Sequence, residues 1–323
     1  MSTTILRTSD AWWVQTTDPT GAPLAHRLDL GAQTTAELLA DRTALDASVA
    51  AATAADSTAP TVDPALLDLV SPVSTPCRVV AQMTNYVSHV KDSGMDPETV
   101  PCTFFRKASH SISGPNQDVI RPAHVGFLDY EIEIGLVFGT ELPVGSTVTA
   151  DTLGDAVAGL VITNDVSARD IQMPQTQFYE AKSYPTFTPT GPALVLVDSD
   201  DLRRFTEIRM VLTVNGETRQ DSSPAEMVYT PVEALNSLLR FQPLSPGDLL
   251  LTGTPGGTAL KSPGALLEKI GGLLPPTKKW SAFFTRQAKE PRYLNDGDVM
   301  ELRAATADGV IDLGVQRTTV RLS

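Results

Sequence analysis

The sequence predicts an α+β fold, mostly β, on three observations. Apolar runs of strand length recur from about residue 76 to the end. Asn215-Gly216 sits between two alternating runs, which is the strongest short hairpin signal. Helical character is confined to a few stretches, chiefly 35–55 and 231–241.

Taken in order, residues 1–72 differ from the rest and read as a small N-terminal accessory domain. Short strand-like pieces at 11–14 and 24–28 flank the turn signal Asp18-Pro19-Thr20-Gly21. Residues 35–55 are rich in Ala and Leu and predict helix. Residues 56–64 carry Ser, Thr, Pro60 and Pro64 and read as a linker. The remainder, 73–323, predicts a catalytic domain. Strands are expected at 78–82, 130–138, 157–163 and 193–197. Residues 209–214 lead through Asn215-Gly216 into the return strand 217–220. At 231–241, Val232, Leu235, Leu238 and Leu239 recur at helical spacing behind Pro231. Strands follow at 248–253, 299–304 and 310–320. Residues 258–291 form an insert of the length of a lid or an interface element. Within it Leu266-Leu267-Glu268-Lys269-Ile270 predicts a short amphipathic helix, while Lys278-Lys279-Trp280 and Phe283-Phe284 present basic and aromatic character.

The chain has 323 residues and a formal net charge of −13. That charge argues against nucleic acid and against anionic membranes as partners, since both need a basic surface. No apolar run is long enough to span a bilayer. Residues 1–7 lack the charged and apolar regions of a signal peptide, and Cys77 and Cys102 suit a reducing compartment, so a cytoplasmic location is expected.

The most informative stretch is Asp129-Tyr130-Glu131-Ile132-Glu133, followed by Asn164-Asp165-Val166-Ser167-Ala168-Arg169-Asp170. In a strand, alternate side chains share a face, which sets Glu131 and Glu133 roughly 7 Å apart on one side. Paired carboxylates repel unless a proton or cation lies between them. Ligation by carboxylates alone suits a hard ion such as Mg²⁺, Mn²⁺ or Ca²⁺ rather than zinc. Asp129 shares that face and reads as a group behind the ligands. Arg169 and Asp170 read as a structural ion pair, and Gly253 to Gly257 as a turn lining the pocket.

Six segments in register carry a resemblance. They are Asn85-Tyr86-x-x-His89, Phe104-Phe105-Arg106-Lys107, Asp129-Tyr130-Glu131-x-Glu133, Asn164-Asp165-Val166-Ser167-Ala168-Arg169-Asp170-Ile171-Gln172, Lys182-Ser183-Tyr184-x-Thr186-x-x-Pro189-x-Gly191-Pro192, and Gly253-Thr254-Pro255-Gly256-Gly257. Together they resemble the fumarylacetoacetate hydrolase family, acylpyruvate hydrolases in particular, over roughly residues 78–320. The resemblance implies a mixed β-roll paired as a homodimer, and a metal held by Glu131, Glu133 and Asp165. The metal would be Mg²⁺, with Mn²⁺ or Ca²⁺ as substitutes. It implies His89 as catalytic base, Lys182 beside metal and substrate, and Gln172 and Thr254 as ligand contacts. Tyr86 and Lys107 are further substrate-binding candidates, Lys107 as a grip on a substrate carboxylate. The chain departs from the family's pattern in having His89-Val90-Lys91-Asp92 where many relatives have His-x-x-Glu, and Ala108 where proline usually follows the lysine.

The activity this implies is hydrolysis of a C–C bond in a β-diketo acid such as an acylpyruvate. The metal stabilises the departing enolate. His89 activates water, Asp92 orients its ring, and Lys182 neutralises an oxyanion or holds a carboxylate. Relatives that decarboxylate oxaloacetate, or isomerise unsaturated hydroxy-dioates in aromatic compound catabolism, share the enolate step. A decarboxylase or isomerase is therefore the alternative, and a catalytically inactive metal-binding homologue is a third reading.

Overall fold

The computed structural model describes residues 2–262 and 273–323. The short helix expected at 266–270 lies outside the described residues. The main sheet has ten strands. Its middle is Ile132–Phe138, which pairs antiparallel with Val157–Asn164 on one side and Leu249–Leu251 on the other. Leu249–Leu251 pairs parallel with Val79–Met83, and Thr103–Lys107 closes that edge. On the other side Leu194–Leu196 joins the sheet to Thr3–Arg7, Trp12–Thr17, Pro23–Arg27 and Thr61–Val62. The N-terminal strands thus extend the same sheet.

A second sheet holds Glu217–Ser222, Arg209–Val214, Val299–Ala305, Asp312–Leu322 and Val119–Arg121. The Asn215-Gly216 hairpin forms as its sequence requires, with φ of 52° and 79° at its two turn residues. Alternation places Ile132, Ile134 and Leu136 in the core shared with Met210, Leu212 and Leu302 of the second sheet. Val137 joins Val161, Leu194 and Leu249 in the core on the opposite face, which Leu38, Leu39 and Leu45 cover. Those leucines lie on two helices, Thr35–Ala40 and Arg42–Thr53. The single helix expected at 35–55 is interrupted at Asp41, whose side chain accepts from the Ala44 N–H and starts the second helix.

Several elements were not anticipated, among them the strands Thr3–Arg7, Val119–Arg121 and Thr61–Val62, the last within the expected linker. Thr103–Lys107 is a strand, and Pro276–Gln287 within the insert is a helix that begins behind Pro275. Among the described residues no helix is long and apolar enough to cross a membrane.

The turn after Leu249–Leu251 positions the site. Gly253 has φ +90°, and a Cβ there would lie 2.9 Å from Asn85 Cβ. Asn85 itself staples the turn, donating to the Thr252 and Tyr229 carbonyls at 3.1 Å each. Gly253→Ala should therefore lower stability by about 1–3 kcal/mol, read as a fall in melting temperature. An unchanged melting temperature would show that the turn tolerates a side chain.

Candidate metal centre

Glu131 immediately precedes the central strand Ile132–Phe138, Glu133 is its second residue, and Asp165 is the residue after its partner. The register Ile132↔Asn164 sets these segments side by side. The Asp165 N–H donates to the Glu131 carbonyl at 2.8 Å, and the Glu131 N–H to Asn164 Oδ1 at 3.0 Å. One carboxylate oxygen from each of Glu131, Glu133 and Asp165 lies within 4.8 Å of the others, and all three residues are buried.

Three cations face this cluster. Lys182 Nζ bridges it, donating to Glu131 Oε2 at 2.8 Å and Asp165 Oδ2 at 2.7 Å. Lys107 Nζ donates to Asp165 and, at 3.0 Å, to the Phe187 carbonyl. Arg169 holds Glu131 through Nη2, Asp129 Oδ2 through Nε at 2.8 Å, and Gln172 Oε1 through Nη1 at 2.8 Å. Four carboxylates, counting Asp129, thus meet three cations, which leaves one negative charge in excess.

The excess sits on Glu133. Burial alone would push the Glu131 carboxyl up, but Lys182 and Arg169 outweigh it and hold it at about 2. Glu133 has no basic side chain paired with it among the described residues. Its Oε2 accepts only the Gly253 N–H, at 2.6 Å. Burial, with Asp165 and Glu131 nearby, raises its carboxyl well above the ordinary value. An all-oxygen donor set with an uncompensated buried carboxylate fits a hard divalent cation, which supplies the missing charge.

The cluster opens into a cavity of about 340 Å³, lined by Glu131, Glu133, His89, Lys182, Gln172 and Thr254 among others. A larger groove of about 1130 Å³, beside Trp12, Leu28 and Ala52, contains none of the carboxylate cluster. His89 projects from the helix Val87–Asp92 with a buried Nδ1 that has no hydrogen-bond partner. Burial lowers its pKa, Arg169 and Lys182 acting in the same sense and Glu131 in the opposite one.

Most of the residues singled out in the sequence converge here, with the following differences. Asp92 lines the cavity, but its Oδ2 accepts the Gly257 N–H at 3.3 Å rather than steadying His89. Tyr86 is buried in the core and donates to Met210 Sδ at 3.1 Å, away from the cavity wall. Lys107 is committed to Asp165 and does not line the cavity. Thr254 lines it, but its hydroxyl donates to the Ile132 carbonyl and accepts from Gln220. Arg169 and Asp170 do not pair with each other. Asp170 Oδ2 accepts the Gly126 N–H at 2.7 Å, and Arg169 belongs to the site. The available signal was Asp129, which continues the acidic alternation and needs a counter-charge.

Comparison with known proteins agrees with this architecture. Residues 78–321 match the fumarylacetoacetate (FAA) hydrolase C-terminal domain. A mitochondrial oxaloacetate tautomerase of Bos taurus is 35% identical over 202 residues, which is 62% of this chain. The chain spans 62% of that protein's length. A 2,4-didehydro-3-deoxy-L-rhamnonate hydrolase of Sphingomonas sp. (strain SKA58) is 32% identical over 246 residues, 75% of this chain and 73% of that one. The crystal structure of a probable 2-hydroxyhepta-2,4-diene-1,7-dioate isomerase from Mycobacterium abscessus superposes with a TM-score of 0.71 at 30% identity. That superposition covers 100% of this chain and 99% of the other.

The charge arrangement separates two variants. In metal-free buffer Glu133→Gln should fold at least as stably as the parent, because the buried Glu133 carboxyl already resists ionisation and the amide keeps an acceptor for Gly253. Asp165→Asn should lose about 3–5 kcal/mol, because it strands Lys107 and Lys182 without their shared carboxylate. Elemental analysis after equilibration with Mn²⁺ should find the ion in the parent and in neither variant. Metal retained by Glu133→Gln would remove Glu133 from the ligand set.

Proposed function

The chain belongs to the fumarylacetoacetate hydrolase family, and from that premise we propose a divalent-metal-dependent hydrolase that cleaves a C–C bond of a β-diketo acid of the acylpyruvate type. The observation that carries this is the buried Glu131–Glu133–Asp165 cluster opening into one cavity with His89 and Lys182. Held by those three carboxylates, a Mg²⁺ or Mn²⁺ ion supplies Lewis-acid stabilisation for negative charge on a dicarbonyl oxygen. It also turns the net charge of the cluster from one negative to one positive, which a mono-anionic oxo acid cancels.

The chain's own groups then have distinct tasks. His89 takes the proton of the attacking water, and its lowered pKa keeps the imidazole in the neutral, accepting form. Lys182 uses two of its three N–H donors on Glu131 and Asp165, which leaves the third for a substrate oxygen. The Gln172 carbonyl accepts from Arg169, so its amide group is the part free to donate to substrate. The same reading takes the protein as a cytoplasmic homodimer with a small keto acid as partner, and with neither nucleic acid nor membrane.

One observation favours a second activity. Asp92 is turned to Gly257, so among the described residues no carboxylate is bonded to His89 Nδ1 to orient it for water activation. A lone base suffices for proton transfer, and the tautomerase relative is named for such a reaction. Tautomerisation or isomerisation of an oxo acid is therefore the alternative.

Turnover of an acylpyruvate with Mn²⁺ in ¹⁸O-water should place label in a product carboxylate. Exchange of the α-proton with solvent deuterium without cleavage would replace hydrolysis by the tautomerase reading. His89→Ala should lower kcat by about 10²- to 10⁴-fold with metal content retained. Because burial lowers the His89 pKa, its neutral form persists to lower pH, so the acid limb of kcat/KM should fall below the ordinary imidazole value of ~6.5. A limb above that value would assign it to another group.

A further inference from the structure

The cavity's wall and its charge count together narrow the substrate. Beside the charged groups and a few polar ones such as Gln82 and Thr84, the lining has an apolar part made by Phe105, Phe178, Met95, Met173, Leu260 and Phe283. Phe105 and Phe178 meet edge-on with ring centroids 5.2 Å apart. Phe283 comes from the insert helix Pro276–Gln287 and is braced from behind. Its ring lies 5.2 Å from Phe284 and 5.6 Å from Trp280, and Phe284 in turn packs on Phe127 at 5.1 Å. The start of the insert is fixed by Asp129, whose Oδ1 accepts the Ala259 N–H at 2.8 Å and whose Oδ2 accepts the Leu260 N–H at 3.0 Å. Leu260 of this wall is therefore placed by the carboxylate that also holds Arg169 against Glu131.

The same cavity has little to offer a second carboxylate. Apart from His89, every basic side chain lining it among the described residues is already in an ion pair. Arg169 and Lys182 are held by the acidic cluster, and Lys261 by Glu290 at 3.2 Å. A divalent ion leaves one positive charge in excess, and one carboxylate neutralises it. The isomerase from Mycobacterium abscessus is named for a dioate, with a carboxylate at each end. The chemistry of this cavity differs from that requirement.

We propose that the substrate is an oxo acid with a single carboxylate and an apolar tail of aryl or branched-alkyl size, and that Phe283 of the insert is a specificity-determining contact for that tail. The proposal rests on the oxo-acid reading above and is independent of whether the reaction is hydrolysis or tautomerisation.

The test is calorimetric binding of three oxamates to the full chain in saturating Mn²⁺. Oxamates mimic a 2-oxo-acid head and lack the 1,3-dicarbonyl skeleton that would be cleaved. N-benzyl oxamate should bind at least about tenfold tighter than N-methyl oxamate, as burial of an aromatic ring requires. N-carboxymethyl oxamate should bind no tighter than N-methyl oxamate. Phe283→Ala should reduce the benzyl-to-methyl ratio to about threefold or less, and Phe283→Leu should restore most of it. Tightest binding of the carboxymethyl compound, a benzyl preference that survives Phe283→Ala, or no binding of any of the three would overturn the proposal. Failure of the C–C hydrolase reading is seen separately, as absent cleavage in labelled water, and leaves the oxamate ranking standing.

Discussion

The ammonium of Lys182, set between Glu131 and Asp165, is the interaction on which the site depends. Two carboxylates from neighbouring strands would separate if nothing of opposite charge lay between them. Lys182, Lys107 and Arg169 hold them at ligand spacing without a metal, yet leave Glu133 uncompensated. So many buried charges cost several kcal/mol of desolvation each, and a well-packed apolar cluster would fold as well or better. What the charges provide is a site that is formed in advance and still short of one cation.

The sequence made much of this legible, and the limits have physical causes. Strand alternation places Glu131 and Glu133 together because the period of 2 is fixed by covalent geometry. The hairpin at Asn215-Gly216 and the apolar strands were readable on the same ground. Asp165 was reached through motif resemblance alone, since nothing local ties it to a strand that begins over thirty residues earlier. Arg169 was misassigned because its neighbour in sequence, Asp170, is an obvious partner, while its real partners, Asp129 and Glu131, are long-range. Tyr86 lies close to His89 in sequence, but its main-chain position turns the ring inward to Met210. The insert helix escaped notice because its aromatic residues serve two purposes at once, packing on Phe127 and facing the cavity.

Asp129 joins two parts of the molecule that look separate in the sequence. It accepts from Arg169, which steadies the candidate metal ligand Glu131, and from two successive amides at the head of the insert. A carboxylate with that many donors is rigid in orientation. Leu260 at the cavity wall is thereby referenced to the same point as Glu131.

The glycine turn at 253–257 has the corresponding role for the base. The Gly253 N–H fixes Glu133, the Gly256 N–H donates to Ser88 Oγ at 3.0 Å, and the Gly257 N–H donates to Asp92. Ser88 and Asp92 flank His89 on one short helix, so a single turn spaces the imidazole from the nearest ligand. Asp92 is thereby a docking group for the helix. Its reach is set by the turn, and it leaves the His89 ring to be oriented by whatever the cavity holds.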